Sequence, residues 1–180
     1  IQRDVCFDQL LPAIRQVQAN TALRLLISTS LSELCPQHPP IPVPDLLLAP
    51  KVPVTDSLDL LIELPQHAPR DDLPESGLND VAALNYTGGT TGLPKGCIHT
   101  HGDMLYTCAS FVPAALGLDH ERISLNFMPE FWIAGENAGL LFPAFCGTTL
   151  VLLARWDALA FMQAVEHYRV NHTGLLVDSA

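Results

Sequence analysis

Ten of the fifteen prolines fall between Pro36 and Pro74. Proline fixes φ and removes a backbone donor, so a stretch this rich in it cannot continue as a long helix or a central strand. The chain therefore reads as three parts: a helix–strand unit over 1–35, a proline-rich connection over 36–79, and α/β repeats over 80–180. One short helix is expected inside the connection, around Asp56 to Leu64. The first helix and strand are too small to enclose a core alone, so the connection is read as internal to one layer system.

Hydrophobic spacing supplies the elements on either side. Phe7, Leu10, Leu11, Ile14 and Val17 recur every three or four residues and predict an amphipathic helix; Leu23 to Ser28 predicts a short buried strand. From Asp80 onward the pattern is regular. Val81 to Thr87 is an expected strand, followed by a Gly/Thr-rich turn and a second short strand over Gly96 to Thr100. A helix is expected from Gly102 to Leu116, with Met104, Leu105, Cys108, Phe111 and Val112 on one side and Pro113 ending or kinking it. Ile123 to Met128 reads as a strand closed by Pro129, Phe131 to Phe142 as an apolar helix, and Thr148 to Leu153 as a strand. Ala158 to Tyr168 reads as a helix with Phe161, Met162 and Val165 inward, and Thr173 to Val177 as the last strand. Such alternation predicts an α/β fold, a layered sheet with helices and parallel strand pairs. The sequence stops directly after a strand, which predicts an internal piece of a longer protein.

Composition narrows the partners. Charged residues make up 16% of the chain and mean hydropathy is +0.25, against about 25% charged residues in a typical soluble domain. The chain must have a large core or carry apolar faces that something else covers, including a second copy in a homo-oligomer. Net charge is −10 and only Lys51 and Lys95 are lysines, which excludes a nucleic-acid binder with a basic face. No apolar run approaches the roughly 20 residues of a membrane span, and the N-terminus lacks a signal-peptide pattern. Five cysteines without a C-x-x-C spacing suit a reducing compartment, so the expected location is cytoplasmic.

The stretch that carries chemistry is Tyr86-Thr87-Gly88-Gly89-Thr90-Thr91-Gly92-Leu93-Pro94-Lys95-Gly96. Its glycines allow close backbone approach, its threonines add hydroxyl donors, and Lys95 adds a point charge, all suited to phosphate oxygens. The loop is not a Walker A sequence, because Leu93 and Pro94 separate Gly92 from Lys95 and Gly96 follows. It also lacks the G-x-G-x-x-G spacing of a dinucleotide site. On composition alone two readings stay open: a polyphosphate cradle between two strands, or a flexible polar loop with an incidental lysine.

The literal sequence resembles the phosphate-loop signature of the adenylate-forming (AMP-binding) superfamily, which includes acyl-CoA synthetases, luciferases and peptide-synthetase adenylation domains. Many members have Ser where this chain has Gly88; the Gly form resembles bacterial long-chain fatty-acid–CoA ligases. Thr100-His101 resembles the Thr-His pair that follows the loop. Pro129-Glu130-Phe131-Trp132-Ile133-Ala134-Gly135 resembles the second motif, P-L-F-H-x-x-G, which lines the acyl pocket; Glu130 and Trp132 depart from it.

The resemblance implies part of the large N-terminal domain of an enzyme that activates a carboxylic acid, in the first place a fatty acid, with ATP and Mg2+. The acyl-adenylate then passes its acyl group to coenzyme A. It implies Lys95, Thr90 and Thr91 as catalytic side chains. Thr87, Gly88, Gly89, Thr90, Thr91, Gly92 and Lys95 would bind phosphate, and Phe131, Trp132 and Gly135 would bind the acyl substrate. The family's adenine, ribose and magnesium motifs and its late lysine lie beyond Ala180, so the piece by itself is expected to be inactive. The rivals are an aryl-acid ligase, an amino-acid adenylation domain, and a non-catalytic nucleotide-binding module. Cys97, His99 and His101 would share one face of a strand, but no fourth ligand is near, so they are read as surface or capping residues. No metal site is assigned.

Overall fold

The chain opens on a strand where the apolar spacing pointed to a helix. In the computed structural model, which describes residues 3–88 and 92–174, β1 (Arg3–Phe7) pairs in parallel with β2 (Leu25–Thr29), from Arg3↔Leu25 to Phe7↔Thr29. The ladder takes Phe7, a residue that suits a pleated surface, out of the helical pattern. The helix starts only after a tight turn over Asp8–Leu10, as α1 (Leu11–Gln18) with a proline in its first turn. Leu11 is buried, while Phe7, Leu10 and Val17 stay exposed. Asp8 is also buried. Its Oδ1 accepts from Gln9 N at 2.8 Å and its Oδ2 from Val52 N at 2.7 Å, so the carboxylate is satisfied by backbone donors.

The proline-rich stretch is more than a connection. It holds a one-turn helix, α2 (Asp45–Leu48), which the sequence pattern did not announce. It then supplies β3 (Leu58–Asp59), the third strand of a parallel sheet ordered β1-β2-β3. The helix expected near Asp56 to Leu64 is present as the shorter α3 (Leu60–Glu63), capped by Asp59, whose Oδ1 accepts from Leu61 N and Ile62 N. Lys51 Nζ donates to both Glu33 and Asp59, tying the stretch to the turn after β2. The chain divides into two compact units, Ile1–Leu73 and Pro74–Ala180, with the boundary at the end of the prolines.

The second unit begins with an antiparallel hairpin. β4 (Val81–Thr87) pairs with β5 (Lys95–Thr100), from Val81↔Thr100 to Thr87↔Lys95, with a bulge between Val81 and Ala83. Both strands lie close to their expected bounds. Thr100 caps α4 (His101–Phe111): its Oγ1 accepts from Asp103 N at 3.1 Å while Asp103 Oδ2 accepts from Thr100 N at 2.9 Å. Pro113 does not end the helical run. Lacking an N–H, it sits in a wider π turn over Val112–Leu116, which closes with Gly117 N donating to Val112 O and Gly117 at φ 59°.

A three-stranded parallel sheet follows. β6 (Ile123–Asn126) lies between β7 (Thr149–Leu152) and β8 (His172–Thr173), in the order β7-β6-β8. The apolar helix expected over Phe131 to Phe142 begins later and runs further. It comprises α5 (Ile133–Glu136), a π turn over Asn137–Leu141, and α6 (Phe142–Cys146), ended by Gly147 at φ 71°. α7 (Ala158–Tyr168) has its expected bounds, with Asp157 Oδ1 accepting from Ala160 N. The last strand starts at His172, and residues 175–177 of its expected span lie outside the described residues. The fold is mixed α/β with parallel and antiparallel sheets, as the alternation predicted.

Its core in this unit is built around Cys108, Val112, Leu118 and Phe142. Burial of a side chain such as Phe142 contributes roughly 1.5–3 kcal/mol. A second cluster stacks Phe127 on Trp156 and Phe161, with ring centroids 4.5 and 5.9 Å away, so Trp156 is a packing residue. Leu105, Phe111 and Met162, expected inward, are exposed. The buried stripe of α4 runs through Cys108 and Val112, and that of α7 through Ala160, Phe161 and Ala164.

Gly135 packs hardest against its surroundings. A Cβ there would stand 1.9 Å from Pro129 O and 2.9 Å from Met128 O. Gly135→Ala should therefore destabilise the unit by about 1–3 kcal/mol, read as a lower urea midpoint; an unchanged midpoint would mean the turn after β6 is not held this way.

The first unit should show a distinct pH profile. The hydrogen bond from Lys51 holds the Asp59 carboxyl below its ordinary 3.8, and bonds to Asp59 and Glu33 raise the Lys51 ammonium above 10.5. Stability from Asp59 is present above 3.8 and lost as pH falls through its folded value. Stability from Lys51 is full below 10.5 and lost as pH rises through its folded value. The stability difference between wild type and Lys51→Met should be flat between these limits and shrink outside both, measured by urea unfolding across pH.

Candidate functional site

The hairpin holds the two ends of the Gly/Thr loop. Thr87 closes β4 and Lys95 opens β5 as its cross-strand partner. Thr87 Oγ1 donates to Lys95 O at 3.3 Å, a bond across the neck of the loop. Both residues are exposed. Tyr86 lies opposite Gly96, and a Cβ on Gly96 would come within 3.3 Å of the Tyr86 ring, so glycine lets the ring lie across the second strand. At Gly88 and Gly92 a Cβ would meet nothing within 4 Å, and neither has a left-handed φ. Among the described residues, nothing crowds either position. Gly89, Thr90 and Thr91 lie outside the described residues.

The second motif follows β6. Asn126 orders its entry: Oδ1 accepts from Met128 N at 3.1 Å and Nδ2 donates to Met128 O at 3.2 Å. Trp132 N donates to Pro129 O at 3.1 Å, closing a turn just before α5. Gly135 is buried against that turn, whereas Phe131 is 93% exposed and Trp132 47% exposed. The two aromatic side chains are therefore available to a ligand, and Gly135 shapes the turn that carries them. Glu130, one of the departures from the motif, lies against Gly139: its Oε1 stands 2.8 Å from where a Cβ on Gly139 would be.

Thr100 and His101 lie where β5 passes into α4, and Asp103 occupies the first helical turn, as the sequence suggested. Hydrogen bonds from the Thr100 backbone and side chain hold the Asp103 carboxyl below its ordinary value. Because His101 opens the helix, it does not continue the strand face of Cys97 and His99. Burial, with the Arg122 charge nearby, lowers the His172 pKa, and its Nδ1 lies 3.1 Å from Ser124 Oγ.

One contact between the loop's strand and the second motif had no sequence signal. Asn85 Nδ2, on β4, donates to Glu136 Oε2, on α5, at 2.9 Å, joining the loop's strand to the second motif. Neither residue belongs to a quoted motif position, and only folding brings them together.

The sequence matches the AMP-binding enzyme family over residues 9–177. It is 32% identical over 109 residues to 4-coumarate-CoA ligase 1 of Petroselinum crispum, covering 58% of this chain and 20% of the ligase. It is 37% identical over 100 residues to a feruloyl-CoA synthase of Amycolatopsis sp, covering 56% of this chain and 20% of the synthase. The aligned stretch thus amounts to about a fifth of each curated relative's length. In structure the chain is similar to a long-chain-fatty-acid-CoA ligase from Archaeoglobus fulgidus, with TM-score 0.71 and 20% identity, over 96% of this chain and 29% of that one. The fold matches that of the N-terminal domain of adenylate-forming enzymes. With the Gly/Thr loop carried by its hairpin and the family match spanning nearly all of the sequence, the chain belongs to the AMP-binding enzyme family.

Proposed function

We propose that the protein is an acid–thiol ligase that activates a carboxylic acid with ATP and passes the acyl group to coenzyme A. Residues 1–180 would then be part of its large N-terminal domain, and the chain alone would not complete the reaction. The observation that carries the reading is the hairpin, which sets Thr87 and Lys95 opposite each other at the ends of the Gly/Thr loop.

In this reading the loop holds the β- and γ-phosphates while the carboxylate attacks the α-phosphorus. The Lys95 ammonium and the hydroxyls of Thr87, Thr90 and Thr91 would take up the charge, and Gly88, Gly89 and Gly92 would admit the phosphates to the backbone. Groups held in place before the charge develops would lower the barrier. Phe131 and Trp132 would face the acyl group, with Gly135 holding their turn. The reaction class also implies Mg2+. Among the described residues no group of three or more His, Cys, Asp or Glu is placed to hold a metal ion, so no residue of this chain is assigned to it.

Two acid classes have separate support. Gly88 favours a long-chain fatty acid, by its resemblance to the bacterial ligases. The names of the relatives at 32–37% identity favour a hydroxycinnamic acid. Both are acids with an extended apolar body, which the exposed Phe131 and Trp132 suit. Acid-dependent pyrophosphate exchange by the enzyme containing this chain, with 4-coumarate, ferulate and a fatty-acid series, separates the two classes.

Tripolyphosphate should bind the chain itself at low salt, with affinity falling as salt rises. Lys95→Ala removes one charge-assisted bond, about 1.5–3 kcal/mol, and should weaken binding about 10- to 100-fold by calorimetry. Equal binding by wild type and Lys95→Ala would sink the cradle. Pyrophosphate exchange by the isolated chain should stay at background, and exchange above it would show that the active site is complete within these residues.

A further inference from the structure

Asn85 stands on β4 two residues before Thr87, with Cys97 as its cross-strand partner. Its bond to Glu136 spans 51 positions of sequence. Among the described residues, no other hydrogen bond joins the hairpin to residues 117–174. The contact is half-buried.

Both partners are held. Gly135, the residue before Glu136, is buried where a Cβ would stand 1.9 Å from Pro129 O, so the start of α5 lies close against the turn after β6. The other end of the Asn85 amide, Oδ1, is buried without a partner among the described residues. Asn85 therefore depends on Glu136 for its orientation: losing the carboxylate would leave both ends of a half-buried amide unpaired.

We propose that Glu136, acting through Asn85, is a positioning residue that fixes the Gly/Thr loop relative to the second motif. Its functional meaning rests on the reading of that loop as a phosphate cradle. Neither side chain touches phosphate or acid. Their part is registry: the loop holds the phosphates, the second motif carries the acid, and the attack on the α-phosphorus depends on the alignment of the two.

The test combines amide hydrogen exchange and tripolyphosphate binding on the full chain, for wild type, Glu136→Ala, Glu136→Gln and Asn85→Ala. Glu136→Ala and Asn85→Ala should each speed exchange at Tyr86, Thr87, Lys95 and Gly96 by about tenfold, while exchange in the β6, β7 and β8 strands stays at the wild-type rate. Both should weaken tripolyphosphate binding about fivefold, the weight of one hydrogen bond. Glu136→Gln keeps a carbonyl oxygen for Asn85 and should stay within about twofold of wild type in both readouts. Exchange that rises uniformly over both sheets would reduce the contact to general stability and overturn the proposal. So would unchanged hairpin exchange in Glu136→Ala, or a Gln variant as impaired as the Ala variant. If wild type binds no tripolyphosphate while the local exchange pattern holds, the phosphate reading fails and the positioning of the hairpin stands.

Discussion

The register of β4 on β5 is the constraint on which the site depends. With Thr87 opposite Lys95, the loop's neck is one cross-strand pair wide, and the hydroxyl of one residue bonds the carbonyl of the other. A slip of one residue would turn every side chain of one strand to the opposite face and break the pairing of Thr87 with Lys95. The register is defended from both sides. Above it, Gly96 leaves room for the Tyr86 ring. Below it, β5 passes directly into α4 through the reciprocal Thr100–Asp103 cap, and His101 N and Gly102 N donate to Asp80 O and Leu78 O ahead of β4.

The second motif is fixed by different means. Asn126 folds its amide over Met128, Trp132 N closes the turn on Pro129 O, and at Gly135 a Cβ would clash with that turn. The residues offered outward by this scaffold are the aromatic pair Phe131 and Trp132. The ends of the Gly/Thr loop and the aromatic turn are thus held by independent local devices, and the Asn85–Glu136 bond joins the loop's strand to α5.

Much of this was legible in the residues. Val81 to Thr87, the strand ending at Thr100 and the helix from Ala158 to Tyr168 follow from local spacing and caps, and the loop is recognisable from its literal sequence. The misses have a common physical origin in contacts distant along the chain. β1 looks helical by periodicity, but its parallel pairing with β2 outweighs local preference. β3 is a two-residue strand that only the neighbouring β2 makes visible. Pro113 did not end its helical run, because it sits inside a π turn. At the site, Phe131 and Trp132 could be named from the motif, but their exposure and the Asn85–Glu136 contact could not, because no periodic signal marks a single bond between a strand and a helix.

The two lysines allow a direct test of the phosphate cradle. Lys51 is engaged by Glu33 and Asp59 in the first unit, whereas Lys95 opens the strand after the Gly/Thr loop. With isotope-labelled lysine, the side-chain ammonium resonances of the two can be followed by NMR as ATP is added at low salt. The account predicts that the Lys95 signal shifts and saturates while that of Lys51 stays in place. A Lys95 signal that does not move, or two signals that move together without saturating, would contradict it.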